Sequence, residues 1–218
     1  MTWSELSEIL GVGLRETAYM VGVSTLLTAV GGLLVGVLLV LTDRGGLLAV
    51  PPVNAVLGLV VNVGRSLPFI ILLVAVIPFT RAIVGTTIGT SAAIVPLTIG
   101  AIPFFARIVE AAIREVPPDV VAAAVAMGAT RRQIIAKVLL REARPGLVAG
   151  LTITVIALVG YSAMAGVVGG GGLGDLAIRY GYQRFETEVM IATVVVLVVF
   201  VQLIQMLGDL IVRRLSHR

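Results

Sequence analysis

The chain has no cysteine and a single histidine, His217, which stands next to its C-terminus. Disulfide bonds and thiolate metal sites are therefore excluded, and so is a buried histidine acting as a base or within a metal cluster. Charged residues are also scarce, at 13% of the chain, compared with about 25% in soluble domains. We expect no catalytic residue and no metal site.

Hydrophobic residues, in contrast, make up 58% of the 218 residues, and the mean hydropathy is +1.10. This composition is typical of an integral membrane protein. Crossing the hydrocarbon core of a bilayer takes about 20 helical residues, and five segments are long and apolar enough. The sequence thus predicts an all-α membrane protein with five transmembrane helices. The predicted spans are Thr17–Thr42, Pro52–Ile77, Ala82–Ala106, Leu147–Val168 and Val189–Val212.

Three regions follow from this map. Residues 1–13 are predicted to form an amphipathic helix on the membrane surface, opened by a capping box of Thr2 and Glu5. Residues 14–212 form the transmembrane domain, and residues 213–218 form a short tail. Within the domain, residues 117–146 and 169–188 are long polar loops. Pro78–Thr90 is the predicted turn between spans two and three, because glycine and proline punctuate it.

The basic residues are distributed unevenly between the two ends of the spans. Eleven of the 16 fall on the side of the C-terminus and four on the side of the N-terminus, while Arg65 lies inside span two. Lysine and arginine in short loops mark the cytoplasmic side, so we predict an outside N-terminus and a cytoplasmic C-terminus. The positive charge of +4 reflects this topology and does not indicate binding to nucleic acid.

The loop 117–146 reads as two helices separated by a glycine. Pro117, Pro118 and Asp119 are typical of a helix start, and Gly128 is typical of a helix end. Thr130 and Gln133 then form a second capping box, which opens a basic helix that runs to about Glu142. Two interpretations are open: a docking surface for another protein, and an amphipathic hairpin lying on membrane lipid.

This pattern resembles the EAA loop of ATP-binding-cassette importer permeases, in which Glu-Ala-Ala precedes a glycine by three residues. Here the Ala122-Ala123-Ala124 triplet stands in that position relative to Gly128, and Val138-Leu139-Leu140-Arg141 follows after nine residues. Alanine replaces the leading glutamate, and Arg141 replaces the closing proline. The resemblance implies that residues of this loop contact the ATPase. They are Ala122, Ala123, Ala124, Met127, Gly128, Ala129, Thr130 and Arg131.

Further strings resemble the permeases of methionine importers in particular, and the likeness covers residues 14 to 214. They are RSLPFIILL from Arg65, IPFTR from Ile77, AIVPLT from Ala93, LVGYSAM from Leu158 and GGLG from Gly171. The resemblance implies a type I importer fold and a substrate of D- and L-methionine. It also implies a homodimer in a bacterial inner membrane, two ATP-binding subunits on the cytoplasmic side, and an extracytoplasmic binding protein, often a lipoprotein.

The residues themselves agree with an ATPase on a separate chain. The only lysine, Lys137, follows an alanine and has no phosphate-binding loop around it. We therefore expect no cofactor on this chain, with ATP and Mg²⁺ bound by the partner. The glycine run 169–174 lacks the strand of a nucleotide fold, and we predict a loop with close backbone packing there.

Two sets of residues are candidates for contact with ligands. In the outer loop, Arg179, Tyr180, Tyr182 and Arg184 are predicted to touch the binding protein, or else to form an ordinary interfacial belt. In span four, Tyr161, Ser162 and Met164 stand out among small residues as pathway or gate residues, although small residues in a span also serve helix packing.

Arg65 is the one charge deep inside a predicted span, where a charge costs about 3 kcal/mol. It could line a wet pathway, pair with a carboxylate, lie nearer a membrane interface than this map places it, or cap a helix that breaks before Pro68; Asn62 and Ser66 could share its hydrogen bonds.

Other functions remain as alternatives. The same architecture could carry a quaternary amine or a phosphonate. An ion-coupled secondary transporter is less favoured, because such transporters usually need acidic or histidine relays within the membrane, and the acidic residues here can all be placed outside it.

Overall fold

The computed structural model describes residues 3–216, and they form helices joined by short loops, with no strand in this range. Thr2 of the predicted capping box and residues 217–218 of the predicted tail lie outside the described residues. In chain order the helices are α1 (Trp3–Thr42), α2 (Pro51–Ser66), α3 (Phe69–Ala75), α4 (Ile77–Val84), α5 (Thr90–Arg114), α6 (Pro118–Ala126), α7 (Arg131–Gln133, the π-helical Ile134–Leu139 and Leu140–Glu142), α8 (Arg144–Val167), α9 (Gly172–Leu176, continued by the π-helical Ala177–Tyr182) and α10 (Thr187–Ser216).

The centre of the bundle is a close pairing of α1 with α5. Gly32 of α1 lies against Phe105 of α5, and Gly36, one turn later, lies against Val109. Because the contact positions rise together along both helices, the two helices run parallel. They therefore begin at the same membrane face and end at the other. We call the face that carries α6 and α7 the loop face, and the opposite one the far face.

The segment between α1 and α5 must cross the membrane once, since both of these helices run in the same direction. As this segment proceeds, its contacts move toward the start of α5: Gly64 lies beside Pro103, and Leu72 lies beside Gly100. Thr80 of α4 then lines a small cavity near the start of α5. Four single helices are long enough to span a bilayer, and the bent α2–α3 pair supplies a fifth span. The prediction of five spans is thus confirmed.

The second span is not straight, in contrast to the predicted helix Pro52–Ile77. The α2 and α3 axes meet at 107°, and Leu67 between them is extended (φ −80°, ψ 126°). Pro68 explains the break, because a proline disfavours the helical conformation of the residue before it and cannot donate a backbone hydrogen bond. The uniform hydropathy of the sequence hides this break.

The third span is also placed differently. It was predicted at Ala82–Ala106, whereas α5 runs over Thr90–Arg114. The predicted turn Pro78–Thr90 contains α4, a short apolar helix, and the turn itself follows α4. Gly85 (φ +81°) and Gly89 (φ +96°) adopt the left-handed conformations that bracket this turn.

The predicted surface helix over residues 1–13 does not exist as a separate element. Instead, α1 is continuous for 40 residues, a length of about 60 Å, and the bilayer core is about 30 Å thick. Its first turns pack against protein rather than lying free on lipid: Leu6 is buried, and Gly13 lies against Leu173 and Leu176. The described N-terminal part of α1 thus packs on the far face.

The last two long helices complete the bundle. Gly146 of α8 lies against Ala112 and Gly150 lies against Ile108, so α8 runs antiparallel to α5 and returns to the far face. Gly208 near the end of α10 lies against Thr152 near the start of α8, so α10 ends at the loop face. The described ends of the chain, Trp3 and Ser216, therefore lie at opposite faces, as predicted.

The helix pairing predicts a difference between two glycines of α1. A Cβ at Gly36 would lie 2.6 Å from the carbonyl oxygen of Ala106, while a Cβ at Gly22 would meet nothing within 4 Å. We expect Gly36→Ala to destabilise the protein by about 1–3 kcal/mol, because α1 and α5 must separate. Gly22→Ala serves as the control and is expected to be neutral or stabilising by up to about 1 kcal/mol.

The measurement is the thermal unfolding midpoint of each purified variant in one detergent. Equal midpoints for the two variants would contradict the close pairing of α1 and α5.

Candidate functional site

The loop between α5 and α8 forms a helix–glycine–helix hairpin at the loop face. Gly128 adopts a left-handed conformation (φ +77°), which reverses the chain after α6. Its amide donates to the Val125 carbonyl (2.9 Å), and the Ala129 amide donates to the Ala124 carbonyl (3.0 Å). Both bonds satisfy carbonyls that the helix end leaves free. The predicted glycine break is confirmed.

The second capping box is confirmed as well. The Thr130 amide donates to the Gln133 side chain (2.8 Å), and the Gln133 amide donates to the Thr130 hydroxyl (3.4 Å). Together these bonds fix the direction in which α7 leaves the turn. The middle of α7 is π-helical over Ile134–Leu139, a feature that the sequence analysis did not foresee.

The hairpin has a buried side and an exposed side. Ala124, Ile134 and Leu139 are buried, and they belong to one hydrophobic cluster with Ile113 and Val116 at the end of α5. This cluster holds the hairpin against the bundle. Ala124 was predicted as a docking residue, but it is only 4% exposed, so its side chain has no free surface for a partner.

The other predicted docking residues are at the surface. Ala129 is half-buried, and the exposed residues are Ala122, Ala123, Met127, Gly128, Thr130 and Arg131. Met127 is 81% exposed and Val125 is 55% exposed. An apolar surface built from short side chains and one flexible methionine therefore projects from the loop face, which is unusual for a segment outside the membrane.

An ion-pair network that the sequence analysis missed lies just beneath this hairpin. Glu110 accepts from Arg107 and from Arg114 (3.0 Å), and Arg114 also donates to Asp43 (2.6 Å) beyond the end of α1. Arg107 donates in addition to the Asn62 side chain on α2 (2.8 Å). The network thus joins the ends of α1 and α5 to α2. The spacing of Arg107, Glu110 and Arg114 along one helix face was a usable signal.

Asp43 shows the electrostatic effect of this network. The hydrogen bond from Arg114, assisted by the Arg44 backbone amide, holds the pKa of the Asp43 carboxyl below its ordinary value. A depressed pKa means that the charged form is favoured in the folded protein, so the contribution to stability is present at neutral pH. It is lost as the pH falls through the folded-state pKa.

Removing the centre of the network is expected to destabilise the loop face. The Glu110 side chain is 10% exposed, and Glu110→Ala would leave two arginines without their shared acceptor, at a cost of about 1.5–3 kcal/mol. Glu115→Ala is the matched control, since Glu115 is exposed and forms no ion pair within residues 3–216. Chemical denaturation monitored by helical circular dichroism distinguishes the two. If Glu115→Ala lowers the free energy of unfolding as much as Glu110→Ala does, the stabilising role of the network is contradicted.

Among the predicted pathway residues, the structure brings Tyr161 and Arg65 together. They line one groove of about 250 Å³ between the α2–α3 break, α5 and α8. The Tyr161 ring stacks on Phe69, with centroids 4.7 Å apart and planes 8° from parallel. Sequence analysis overlooked Phe69 as a partner, because the two residues are 92 positions apart and no local pattern links them.

The other two predicted pathway residues lie elsewhere. Ser162 is 2% exposed, and its hydroxyl donates to the Val159 carbonyl of its own helix (2.8 Å), so it lines no open surface here. Met164 is 47% exposed on α8, outside the groove of Tyr161 and Arg65.

Arg65 does not form the hydrogen bonds that were expected of it. The Asn62 side chain accepts from Arg107 instead, and the Ser66 hydroxyl donates to the Asn62 carbonyl (2.8 Å). Arg65 is exposed and has no hydrogen bond or ion pair to any described residue. The guanidinium is therefore available to a ligand.

On the far face, α1 anchors the start of α9, where the glycine-rich turn ends. The Glu16 carboxylate accepts from the Gly172 amide (2.7 Å), and the Thr17 hydroxyl accepts from the Leu173 amide (2.9 Å). A Cβ at Gly174 would lie 2.4 Å from the backbone of Ala163. The predicted close backbone packing of this glycine run is confirmed.

The anchored turn positions the predicted contact residues of the outer loop. Arg179 forms an ion pair with Asp175, and the Arg184 guanidinium lies 4.6 Å from the centre of the Tyr180 ring. Tyr182 is 67% exposed. Arg179, Tyr180 and Arg184 are thus in mutual contact on the far face, and Tyr182 is exposed on the same short segment.

We expect the Glu16 bond to limit the motion of this loop. Glu16→Ala removes the acceptor of the Gly172 amide, and hydrogen exchange over residues 169–176 should become at least several-fold faster. Glu8→Ala, which changes an exposed carboxylate two turns earlier in α1, should leave that exchange unchanged. Unaltered exchange in the Glu16 variant would exclude an anchoring role for this side chain.

A five-span helical bundle with a capped helix–glycine–helix loop on one face defines a membrane transport permease. Residues 30–218 match the family described as binding-protein-dependent transport system inner membrane component. The chain belongs to this family, and it is a multi-pass inner-membrane permease.

Several relatives and solved structures are similar to it over most of their length. The chain is 56% identical over 212 residues to the probable D-methionine transport system permease protein MetI of Vibrio cholerae, covering 97% of this chain and 94% of that protein. It is 46% identical to the methionine import system permease protein MetP of Bacillus subtilis, with 83% and 82% covered. It superposes on a chain of an inward-facing MetNI methionine ABC transporter with a TM-score of 0.96 and 52% identity, covering 99% of both. The predicted type I importer fold is thereby confirmed.

Proposed function

We propose that this chain is the permease subunit of an ATP-driven importer of methionine, in the D and L forms, and that it forms the pathway by alternating access. The observation that carries the proposal is the similarity over nearly the whole length to the Vibrio cholerae permease named above, together with the superposition on the MetNI chain. Relatives from two distant bacteria carry methionine in their names, which favours methionine over a quaternary amine or a phosphonate.

The loop 117–146 docks on a separate ATPase subunit, which binds ATP and Mg²⁺. Three features support this. The hairpin exposes apolar surface of short side chains, its base is held by the cluster of Ala124 and Ile134, and Gly128 fixes its turn. A lipid-bound hairpin is the alternative, but the buried cluster that packs the hairpin on the end of α5 favours a fixed surface for a protein partner.

Two copies of this chain form the pathway between them, with one ATPase subunit on each. The loop face is cytoplasmic, since the basic residues cluster there, and the far face receives a binding protein through Arg179, Tyr180, Tyr182 and Arg184. The proposed orientation places the N-terminus outside the cell and the C-terminus inside.

An ion-coupled mechanism is less consistent with the structure. Glu110 is the only carboxylate of α5, and it is bound by two arginines near the loop face, so it is not free to relay protons or sodium ions. The alternative therefore lacks an acidic residue in the middle of the described bundle.

The docking role is tested by a bulky substitution at Gly128. We expect Gly128→Trp to abolish co-purification of the ATPase, because the indole would occupy the exposed turn and the left-handed conformation would be lost. Gly45→Trp is the matched control: Gly45 also lies on the loop face with positive φ (+89°) and open space around it, but it is outside the hairpin. The Gly45→Trp variant should still co-purify with the ATPase.

The substrate is tested by uptake of labelled D- and L-methionine into proteoliposomes that hold the permease, the ATPase and the binding protein. ATP-dependent uptake by the Gly45 variant and none by the Gly128 variant is expected. Loss of the ATPase in both variants, or in neither, would contradict docking through the hairpin.

A further inference from the structure

Arg65 lies at mid-depth in the bundle. It is 14 residues beyond the start of α2, a rise of about 21 Å. The neighbouring Gly64 contacts Pro103, which stands near the middle of α5 (Thr90–Arg114). A charge at this depth is stable only when it is paired or faces water. Since no described residue pairs with Arg65, a group from outside the described chain, such as water, a ligand, a lipid headgroup or a second copy, must solvate it.

The groove beside Arg65 combines this cation with aromatic surface. Tyr161, Phe104 and Phe69 all line it, and Phe69 is itself buried and stacked on Tyr161. A rigid aromatic surface is favourable for a thioether, because sulfur–aromatic contacts contribute about 0.3–1.5 kcal/mol. The volume of about 250 Å³ is slightly below the roughly 300–1,000 Å³ of typical ligand pockets, which suits a small solute.

The break in the second span adds acceptors of hydrogen bonds to the same groove. Pro68 has no N–H, so it cannot donate to the carbonyl of Gly64 four residues before it. Gly64 lines the groove with Arg65, and the negative end of the α2 dipole lies there as well. An ammonium group is stabilised by free carbonyls at a helix C-terminus. The groove therefore presents a cation and a region of negative potential side by side.

We propose that this groove is a subsite of the transport pathway for the zwitterion of an amino acid. The α-carboxylate binds the Arg65 guanidinium, the ammonium group binds carbonyls at the end of α2, and an apolar or thioether side chain lies along Tyr161. The inference rests on the proposed function for its substrate, but the pairing of a carboxylate with Arg65 does not require that the side chain be that of methionine.

The absence of cysteine from the chain allows a direct test. Leu67→Cys places one thiol in the groove, where Leu67 is 43% exposed. The variant is purified with its ATPase in nanodiscs, and labelling of this chain by anionic and cationic methanethiosulfonate reagents is timed. Val199→Cys on the exposed apolar face of α10 is the control, and we expect it to react at least tenfold more slowly because it faces lipid.

Two results are expected from Leu67→Cys. The ratio of anionic to cationic labelling rates should fall at least threefold when Arg65→Gln is added, and Arg65→Lys should restore most of it. Millimolar methionine should slow labelling at least threefold with Arg65 present and have no effect with Arg65→Gln. Methioninamide, which lacks the carboxylate, should not protect.

Other occupants of the groove give different results. No labelling of Leu67→Cys means that a second copy covers the groove, and protection by phosphatidylglycerol in the nanodisc rather than by methionine means a lipid headgroup; either result overturns the subsite. Uptake measured on the same variants separates the two proposals. If Leu67→Cys imports methionine without being protected by it, the subsite fails while the importer stands. If only another amino acid is imported and slows the labelling of Leu67→Cys, the assignment of methionine as substrate is wrong and the subsite stands.

All variants are compared for ATPase co-purification and for the thermal unfolding midpoint, so that a folding defect in Arg65→Gln is recognised. Arg65→Lys with wild-type midpoint and retained protection supports the charge as the active feature. Full protection in a folded Arg65→Gln variant contradicts the proposal.

Discussion

The close parallel contact of α1 with α5 is the constraint on which the rest of the structure depends. Three glycines of α1, at positions 31, 32 and 36, allow the side chains of α5 to approach within van der Waals distance of the α1 backbone. Two parallel helices joined by one chain require a further crossing between them. The bent second span is thus a topological consequence of this contact, and α5 becomes the helix on which the first, second and fourth spans pack.

The ends of these two helices are held by different chemistry at the two faces. At the loop face, charged side chains bridge Asp43, Glu110 and Arg114, whereas at the far face Glu16 and Thr17 accept backbone amides of the glycine turn. A polar network whose members are all satisfied rigidifies the elements that it joins. Each face is therefore fixed by its own set of contacts, with ion pairs at the loop face and bonds from side chains to backbone amides at the far face.

Local patterns made most of the fold predictable. Hydropathy predicted the number of spans, and spacing of a few residues located the Thr130 capping box and the Gly128 turn, because both depend on neighbours in sequence. The break at Pro68 was raised only as one interpretation of Arg65, the third span was placed too early, and the short helix α4 was missed, since all three lie within one apolar run that looks continuous. The stacking of Phe69 on Tyr161 and the bond from Arg114 to Asp43 join residues far apart in the chain, and such contacts exist only once the fold has formed.

The same break explains why a costly arginine is tolerated in the membrane. The 107° bend of the second span leaves a groove against α5 and α8 in which Arg65 is exposed and aromatic rings form the wall. Pro68 and Arg65, three residues apart, therefore act together. The proline produces the break that opens the groove, the open groove allows the guanidinium to be solvated, and the charge favours water in the groove.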